Sequence, residues 1–251
     1  TSMDGLILGL DLCDGYTQLS CWGREENWTL PTAVCRQKDG GWLIGETAYA
    51  TALAGEGSVT DKLIRLVLQD GSDTIYGVKY RAVDLLKCFL EQVFSLPLEE
   101  GKTVDGSMVK ELVITVPKMK ARLMDGLMYC ADQLKIPRSH VHVISHTEAF
   151  MYFVLSQTRD VWSNHVGLFD LSEKCLCYYE MKVQKNMGQV TAVAEREKLE
   201  EGFALDILSA PQGVKLADKI LCSCGERLLE KKLFSSVFLT GKGFETQQWA
   251  G

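Results

Sequence analysis

The sequence predicts an α/β protein of mixed sheets flanked by helices, organised as two related halves. Three observations carry that expectation. Strand and helix patterns alternate from residue 112 to residue 157, which implies crossover connections and a largely parallel sheet. The stretch "LILGLDLCDGYTQLSCW" (residues 6–22) is an apolar run ending in Asp11, a short polar turn and a second extended run. "VGLFDLSEKCLCYYEM" (residues 166–181) has the same shape, with Asp170 standing 159 positions after Asp11. Finally, hairpins precede α/β alternation twice along the chain, and the second pass is the shorter.

Residues 6–11 and 16–23 read as two strands joined by "LCDG", with Asp14-Gly15 as the turn signal. "PTAVCRQ" and "GWLIGE" read as a second hairpin across "KDGG". A helix is predicted over 46–54, then a loop at "GEGSVTDK" and a short helix over 62–68. In "GVKYRAVDLLKCFLEQVFSLPLEEG", Ala82, Leu86, Phe89, Leu90 and Val93 share one face at helical spacing. Pro97 and Gly101 close that helix.

A strand over 112–116, a helix over 119–134, a strand over 141–145 and a helix over 147–157 follow. The first of these helices has Leu123, Leu127, Ala131 and Leu134 on one side. "TRDVWSN" at 158–164 marks a boundary, giving a first half of 3–160 and a second of 161–251. The second half restarts at His165. It continues with extended runs at 175–185 and 189–197, a helix near 199–208, a break at Pro211 and a helix over 214–230. A last strand, "SVFLTG", ends in Gly241 and Gly243.

With 251 residues, 46% of them apolar and 24% charged, the chain can bury a substantial core. A net charge of -6 without a basic stripe argues against a nucleic-acid partner. No apolar stretch approaches the roughly 20 residues needed to span a bilayer, so no membrane partner is expected. "TSMDG" at the start has neither a basic end nor a cleavage pattern, and a cytoplasmic location is expected. Nine cysteines, an odd number lying mostly in apolar segments, read as reduced core thiols. In that compartment the "NWT" sequon at Asn27 has no meaning.

An aspartate at the carboxyl end of a strand, facing a tight turn, is placed to hold a metal ion or its waters, and turn N–H groups can cradle phosphate. The same residue type also simply caps strands. All four histidines fall between His140 and His165, and "HVH" puts His140 and His142 on one face of a strand. Combined with Cys175 and Cys177, or Cys222 and Cys224, they would be the zinc candidates. Neither cysteine pair has the two-residue gap of common zinc knuckles, so no zinc is expected. No nucleophile-elbow sequence is present.

The ordered set of strand–Asp–hairpin, "LPTAVCR…GWLIGETA", "ELVITVPKMKARLMDGLMYCADQLKI", "VHVISHTEAFMYFV", a second strand–Asp–hairpin and "VFLTGKG" resembles a known superfamily. It is similar to the nucleotide-binding lobes of the actin, heat-shock chaperone and sugar-kinase proteins. The likeness is closest to the chaperone ATPase domain and covers nearly the whole chain. The resemblance implies two actin-like (ribonuclease H-like) lobes, the second reduced, with ATP and magnesium in the cleft between them. Asp11 matches the aspartate of the first phosphate loop and Asp170 that of the second, so both would hold the hydrated metal. Asp14, Gly15 and Thr17 lie in or beside the turn that would touch phosphate. Lys62 in "SVTDKLIRL" resembles the lysine near the terminal phosphate. Ser172 and Lys174 occupy the second loop, and Gly241 and Gly243 match the glycine turn against the adenosine.

Departures from the pattern are equally informative. In "DLSEKCL", Ser172, Glu173 and Lys174 stand where relatives have glycines, and Cys175 replaces a hydroxyl. Side chains there crowd phosphate, and Glu173 repels it. His146 takes the place of the glutamate that orders the attacking water. The insertion that closes over the base is missing between "EEGFALDILS" and "VKLADKIL". The chain also stops at "FETQQWAG", where a further helix would run, so the resemblance implies a truncated second lobe.

The expectation is therefore a divergent ATPase-like lobe pair serving as a binding or regulatory module, with weak or absent nucleotide turnover and a protein partner. The alternatives are a working Mg-ATP-dependent ATPase or phosphotransferase using Asp11, Asp170 and Lys62, and a nucleotide-free scaffold that self-assembles or binds a partner.

Overall fold

Alternation along the first strand sets the architecture. In β1 (Leu6–Leu12), Leu8, Leu10 and Leu12 are buried while Asp11 falls on the opposite face. β1 pairs antiparallel with β2 (Tyr16–Cys21), and β2 with β3 (Asn27–Pro31). The computed structural model describes residues 5–172, 175–186, 189–201, 211–229 and 232–240. An excursion follows β3. It contains β4 (Val34–Gln37), β5 (Trp42–Ile44), α1 (Gly45–Leu53) and β6 (Gly57–Thr60), the strands forming an antiparallel sheet in the order β5-β4-β6. α2 (Leu63–Leu68) and the hairpin of β7 (Ser72–Ile75) and β8 (Val78–Arg81) complete it.

The chain then returns through α3 (Ala82–Ser95) to β9 (Val109–Val116), α4 (Ala121–Gln133), β10 (Val141–Ser145) and α5 (His146–Ser156). β9 runs parallel to β1, and β10 parallel to β9. The result is a mixed five-stranded sheet in the order β10-β9-β1-β2-β3. α3 buries Ala82, Leu86, Phe89, Leu90 and Val93, the face its periodicity predicts, together with Leu85 and Phe94. Leu123, Leu127 and Ala131 of α4 are buried in the same core, beside Leu112, Ile114 and Val116 of β9.

β11 (His165–Ser172), β12 (Cys175–Asn186) and β13 (Gln189–Glu201) form a second antiparallel meander. α6 (Pro211–Leu229) leads to β14 (Phe234–Thr240), which lies parallel to β11 in the order β13-β12-β11-β14. Phe150, Val154, Val166, Cys177, Tyr179 and Met181 build its core. The chain packs as two compact units, Thr1–His146 and Thr147–Gly251. α5 beyond its first residue thus falls with the second unit.

The two units repeat one another residue for residue along their central strands. Leu8↔Cys21 through Leu12↔Thr17 in the first hairpin become Gly167↔Glu180 through Leu171↔Leu176 in the second, a uniform offset of 159. The parallel pairings agree as closely. Asp11↔Thr115 corresponds to Asp170↔Thr240, and the irregularity at Leu6/Ile7 recurs at His165/Val166. A slip of one residue would exchange the faces of a strand, so matched register keeps the two aspartates on equivalent faces.

Several expectations need correction. β3, β6 and the β7–β8 hairpin were not foreseen, and β6 occupies part of the expected loop "GEGSVTDK". The helix expected near 199–208 does not begin at 199, because β13 continues to Glu201; residues 202–210 lie outside the described ones. Pro211 is no break but the first residue of α6, where its missing N–H has no intrahelical partner to lose. The described residues make a mixed α/β protein whose sheets are flanked by helices. Among them, no helix is long and apolar enough to cross a membrane.

Candidate functional site

Three adjacent parallel strands, β1, β9 and β10, present their carboxyl ends side by side, which is where open α/β sheets place ligands. Asp11 is the penultimate residue of β1, and its register partner Thr115 is the penultimate residue of β9. His146 is the first residue after β10. Strand geometry alone therefore gathers these side chains. Asp11 Oδ1 lies 2.6 Å from His146 Nε2 and accepts a hydrogen bond from Thr115 Oγ1 at 2.9 Å. Cys13, one residue past β1, places its Sγ 3.8 Å from the same carboxylate oxygen and 3.9 Å from the same ring nitrogen.

Burial pushes the Asp11 carboxyl up, but the hydrogen bond and charge of His146, with the Thr115 and Cys13 donors, outweigh it and hold the carboxyl below its ordinary value. A depressed carboxylate stabilises the fold above its unfolded pKa, and that contribution is lost as pH falls through the folded value. The side chain is 45% exposed, so solvent screening keeps the contribution small. The geometry is not that of a nucleophile relay. In a relay the histidine bridges two partners through two different nitrogens, whereas here thiol and carboxylate face one nitrogen.

The turn behind Asp11 is fixed from below. Thr32 Oγ1 donates to the Cys13 carbonyl at 2.6 Å and lies 2.7 Å from Thr17 Oγ1. Since the one Thr32 hydroxyl proton goes to the carbonyl, Thr17 is the donor between the two threonines. Both side chains are buried. Thr17 thus shapes the turn and has no surface with which to touch a ligand. Thr32→Val leaves the Thr17 hydroxyl and the Cys13 carbonyl without this partner, and should cost about 1–3 kcal/mol in chemical denaturation. Thr17→Val keeps the Thr32–Cys13 bond and should cost less; equal costs would contradict the assigned donor direction.

Asp14 is committed elsewhere, accepting from the Arg65 N–H in the first turn of α2 at 3.2 Å, with the Arg65 guanidinium 4.0 Å away. Gly15 accepts from Thr32 N–H through its carbonyl. Lys62 is exposed and precedes α2 with a left-handed backbone (φ 50°), so the cation drawn to the turn is Arg65. Asp170 lies in the second unit, near the end of β11 between Cys177 and Thr240 of the neighbouring strands. Ser172 ends β11. Lys174, Gly241 and Gly243 lie outside the described residues.

Cys13, Thr115, Thr32 and Arg65 were not singled out from the sequence. A threonine in the second parallel strand, level with an aspartate in the first, was the available signal for Thr115. The histidine grouping also changes. His140 lies in the turn before β10 with Nδ1 facing the Val109 carbonyl, while His142 faces Glu111. The sharing of one strand face by these two histidines is thereby lost. A cleft of about 210 Å³ lined by Arg36, Lys38, Tyr76 and Tyr80 includes none of the Asp11 cluster. Cys21, Cys35 and Cys130 are buried thiols, and burial pushes Cys130 up to about 12, with Asp84 adding to it.

No curated protein shows a match to the chain. A protein-family profile does match, over residues 15–251, so that His146 falls within the matched span while Asp11 and Cys13 precede it. The chain belongs to the family described as "Family of unknown function (DUF5716) C-terminal".

Proposed function

We propose that the chain is a divergent member of the actin and heat-shock-chaperone ATPase superfamily, with two ribonuclease H-like lobes of which the second is reduced. In this reading it serves as a binding or regulatory module that takes Mg-nucleotide weakly and turns it over little or not at all. The observation that carries the reading is the repeated register. Each unit has an antiparallel three-stranded meander, a helix, and a strand returning parallel to the first, with an aspartate at the same rung. A lone hairpin recurs by chance; two hairpins sharing five pairings, each beside a parallel strand sharing six more and one irregularity, do not.

Low turnover follows from what surrounds Asp11. Its Oδ1 already faces His146, Thr115 and Cys13, and Thr17 is turned into the core. A carboxylate oxygen engaged in this way is poorly placed to order the waters of a magnesium ion. The Asp14 and Gly15 N–H groups are the phosphate donors in this reading, since the Cys13 N–H already donates to the Tyr16 carbonyl.

Calorimetric and thermal-shift titration with ATP and magnesium tests the proposal. A small rise in midpoint at millimolar ATP, without phosphate release above the protein-free rate, is expected. The absence of any shift would favour a nucleotide-free scaffold. Phosphate release that disappears in both Asp11→Asn and Asp170→Asn would replace the proposal with a working ATPase.

A further inference from the structure

Asp11, Cys13 and His146 offer three different donor atoms converging on one point. Their ligand atoms all lie within 4.8 Å of one another. The individual separations are 2.6 Å (Oδ1 to Nε2), 3.8 Å (Sγ to Oδ1) and 3.9 Å (Sγ to Nε2). Three atoms so arranged leave a point about 2.1 Å from each, which is the reach of zinc to oxygen and nitrogen and a few tenths short of its reach to sulfur. Opening the Asp11–His146 contact toward the roughly 3.4 Å of a tetrahedral site supplies the remaining room. An Asp–His hydrogen bond alone would account for the short contact. The thiol adds a weak S–H···O bond to the same carboxylate oxygen and thereby brings a sulfur, an oxygen and a nitrogen face to face.

We propose that Asp11 Oδ1, Cys13 Sγ and His146 Nε2 form a three-ligand site for a borderline divalent cation of the zinc class. The donor set selects the metal: a thiolate and an imidazole suit zinc and its neighbours and are poor ligands for magnesium or calcium. Binding replaces the Asp11–His146 hydrogen bond by two metal bonds. The Cys13 thiol proton goes to solvent, and the Nε2 proton shared with Asp11 follows it or, from the neutral ring, transfers to Nδ1, so that the imidazole binds through Nε2 with one proton on Nδ1. Thr115 keeps its bond to Asp11 and acts as a positioning residue, orienting the carboxylate. The Asp11 side chain is 45% exposed and that of His146 19%, so a fourth position is open to water or to a ligand atom from outside. Three protein ligands with one open position is the arrangement of reactive rather than purely structural zinc sites. This goes beyond the nucleotide reading and does not depend on it.

The test uses the chelator-treated full chain, kept reduced with a non-chelating phosphine, and titrated with cobalt(II) and then zinc in the absence of nucleotide. One equivalent of cobalt should give a near-ultraviolet thiolate-to-cobalt charge-transfer band, which zinc then abolishes by displacement. Cys13→Ser should lose the band while remaining folded by circular dichroism. His146→Gln and Asp11→Asn should weaken binding by at least the roughly 10–100-fold typical of losing an outer-shell partner, and Thr115→Val should weaken it by about tenfold with the band retained. The Cys222→Ser, Cys224→Ser double variant, which removes the exposed Cys222 and its neighbour, should keep the band. A folded protein with no band, a band that survives Cys13→Ser, or a band lost in the Cys222/Cys224 variant would overturn the proposal. The nucleotide titration stands separately from all three.

Discussion

Phe89→Ala is expected to lower the unfolding free energy by about 3–5 kcal/mol, enough to remove much of a typical domain's stability. Phe89 is fully buried in the middle of the apolar face of α3. Leu85, Leu86, Leu90 and Val93 on the same helix are buried in the same core, as are residues of β1, β9 and α4. A helix anchored at so many points cannot settle into the space a phenyl ring leaves. The cost therefore combines lost transfer energy with an unfilled cavity. Chemical denaturation followed by circular dichroism measures it. A loss below about 1 kcal/mol would mean that the first core is far more plastic than its burial implies.

Gly106→Ala should cost about 3 kcal/mol or more, although alanine is the smallest change available. Gly106 opens the short turn Gly106–Met108, initiated by Asp105, whose carboxylate accepts from Ser107 N–H at 3.1 Å. A Cβ on Gly106 would fall inside the backbone of Leu134 and Lys135. There α4 ends, and Lys135 turns away in a left-handed conformation at φ 60°. Backbone cannot swing aside as a side chain can, so either the end of α4 or the start of β9 must move. The same denaturation experiment decides it, with Gly225→Ala as the control. Gly225 lies inside α6 with open space at its Cβ position, so its substitution should be neutral or mildly stabilising. Equal effects at the two glycines would refute the packing argument.

Helices were more legible in the sequence than strands because 3.6-residue periodicity over three or four turns leaves a strong pattern, as in α3. β3, with "NWTLP", alternates over only five residues, and β6, "GSVT", carries the glycine and serine that ordinarily mark loops. The β7–β8 hairpin turns on Tyr76-Gly77 with both φ angles positive (49° and 77°), and tyrosine is an unusual residue for that position. In β13, the run "EREKLEE" has the composition of a helix, yet pairing with β12 holds it extended. Local preference lost there to a partner that the local sequence does not reveal.

The candidate site divides along the same line. Asp11 and His146 could be picked out through resemblance, but their contact spans 135 positions and depends on the parallel order of β1, β9 and β10. Cys13 and Thr115 carry meaning only once that order is known. Thr17 and Asp14 were legible as turn residues, yet their partners Thr32 and Arg65 give them structural duties that no spacing rule announces.

Placing Asp11 within the ladder, rather than in the loop beyond it, also bears on how long the cluster lasts. Asp11 is bracketed by Gln18 on one side and Thr115 on the other, inside two continuous sets of pairings. Central strands open only in rare, near-global fluctuations, whereas exposed turns rearrange within nanoseconds to microseconds. The carboxylate therefore keeps its position for nearly the lifetime of the folded sheet, and Cys13, one step beyond the ladder, is tied to it by the Tyr16 carbonyl that its N–H reaches and the Thr32 hydroxyl that its carbonyl accepts. An incoming group would meet a stationary oxygen and a sulfur carried on an anchored turn.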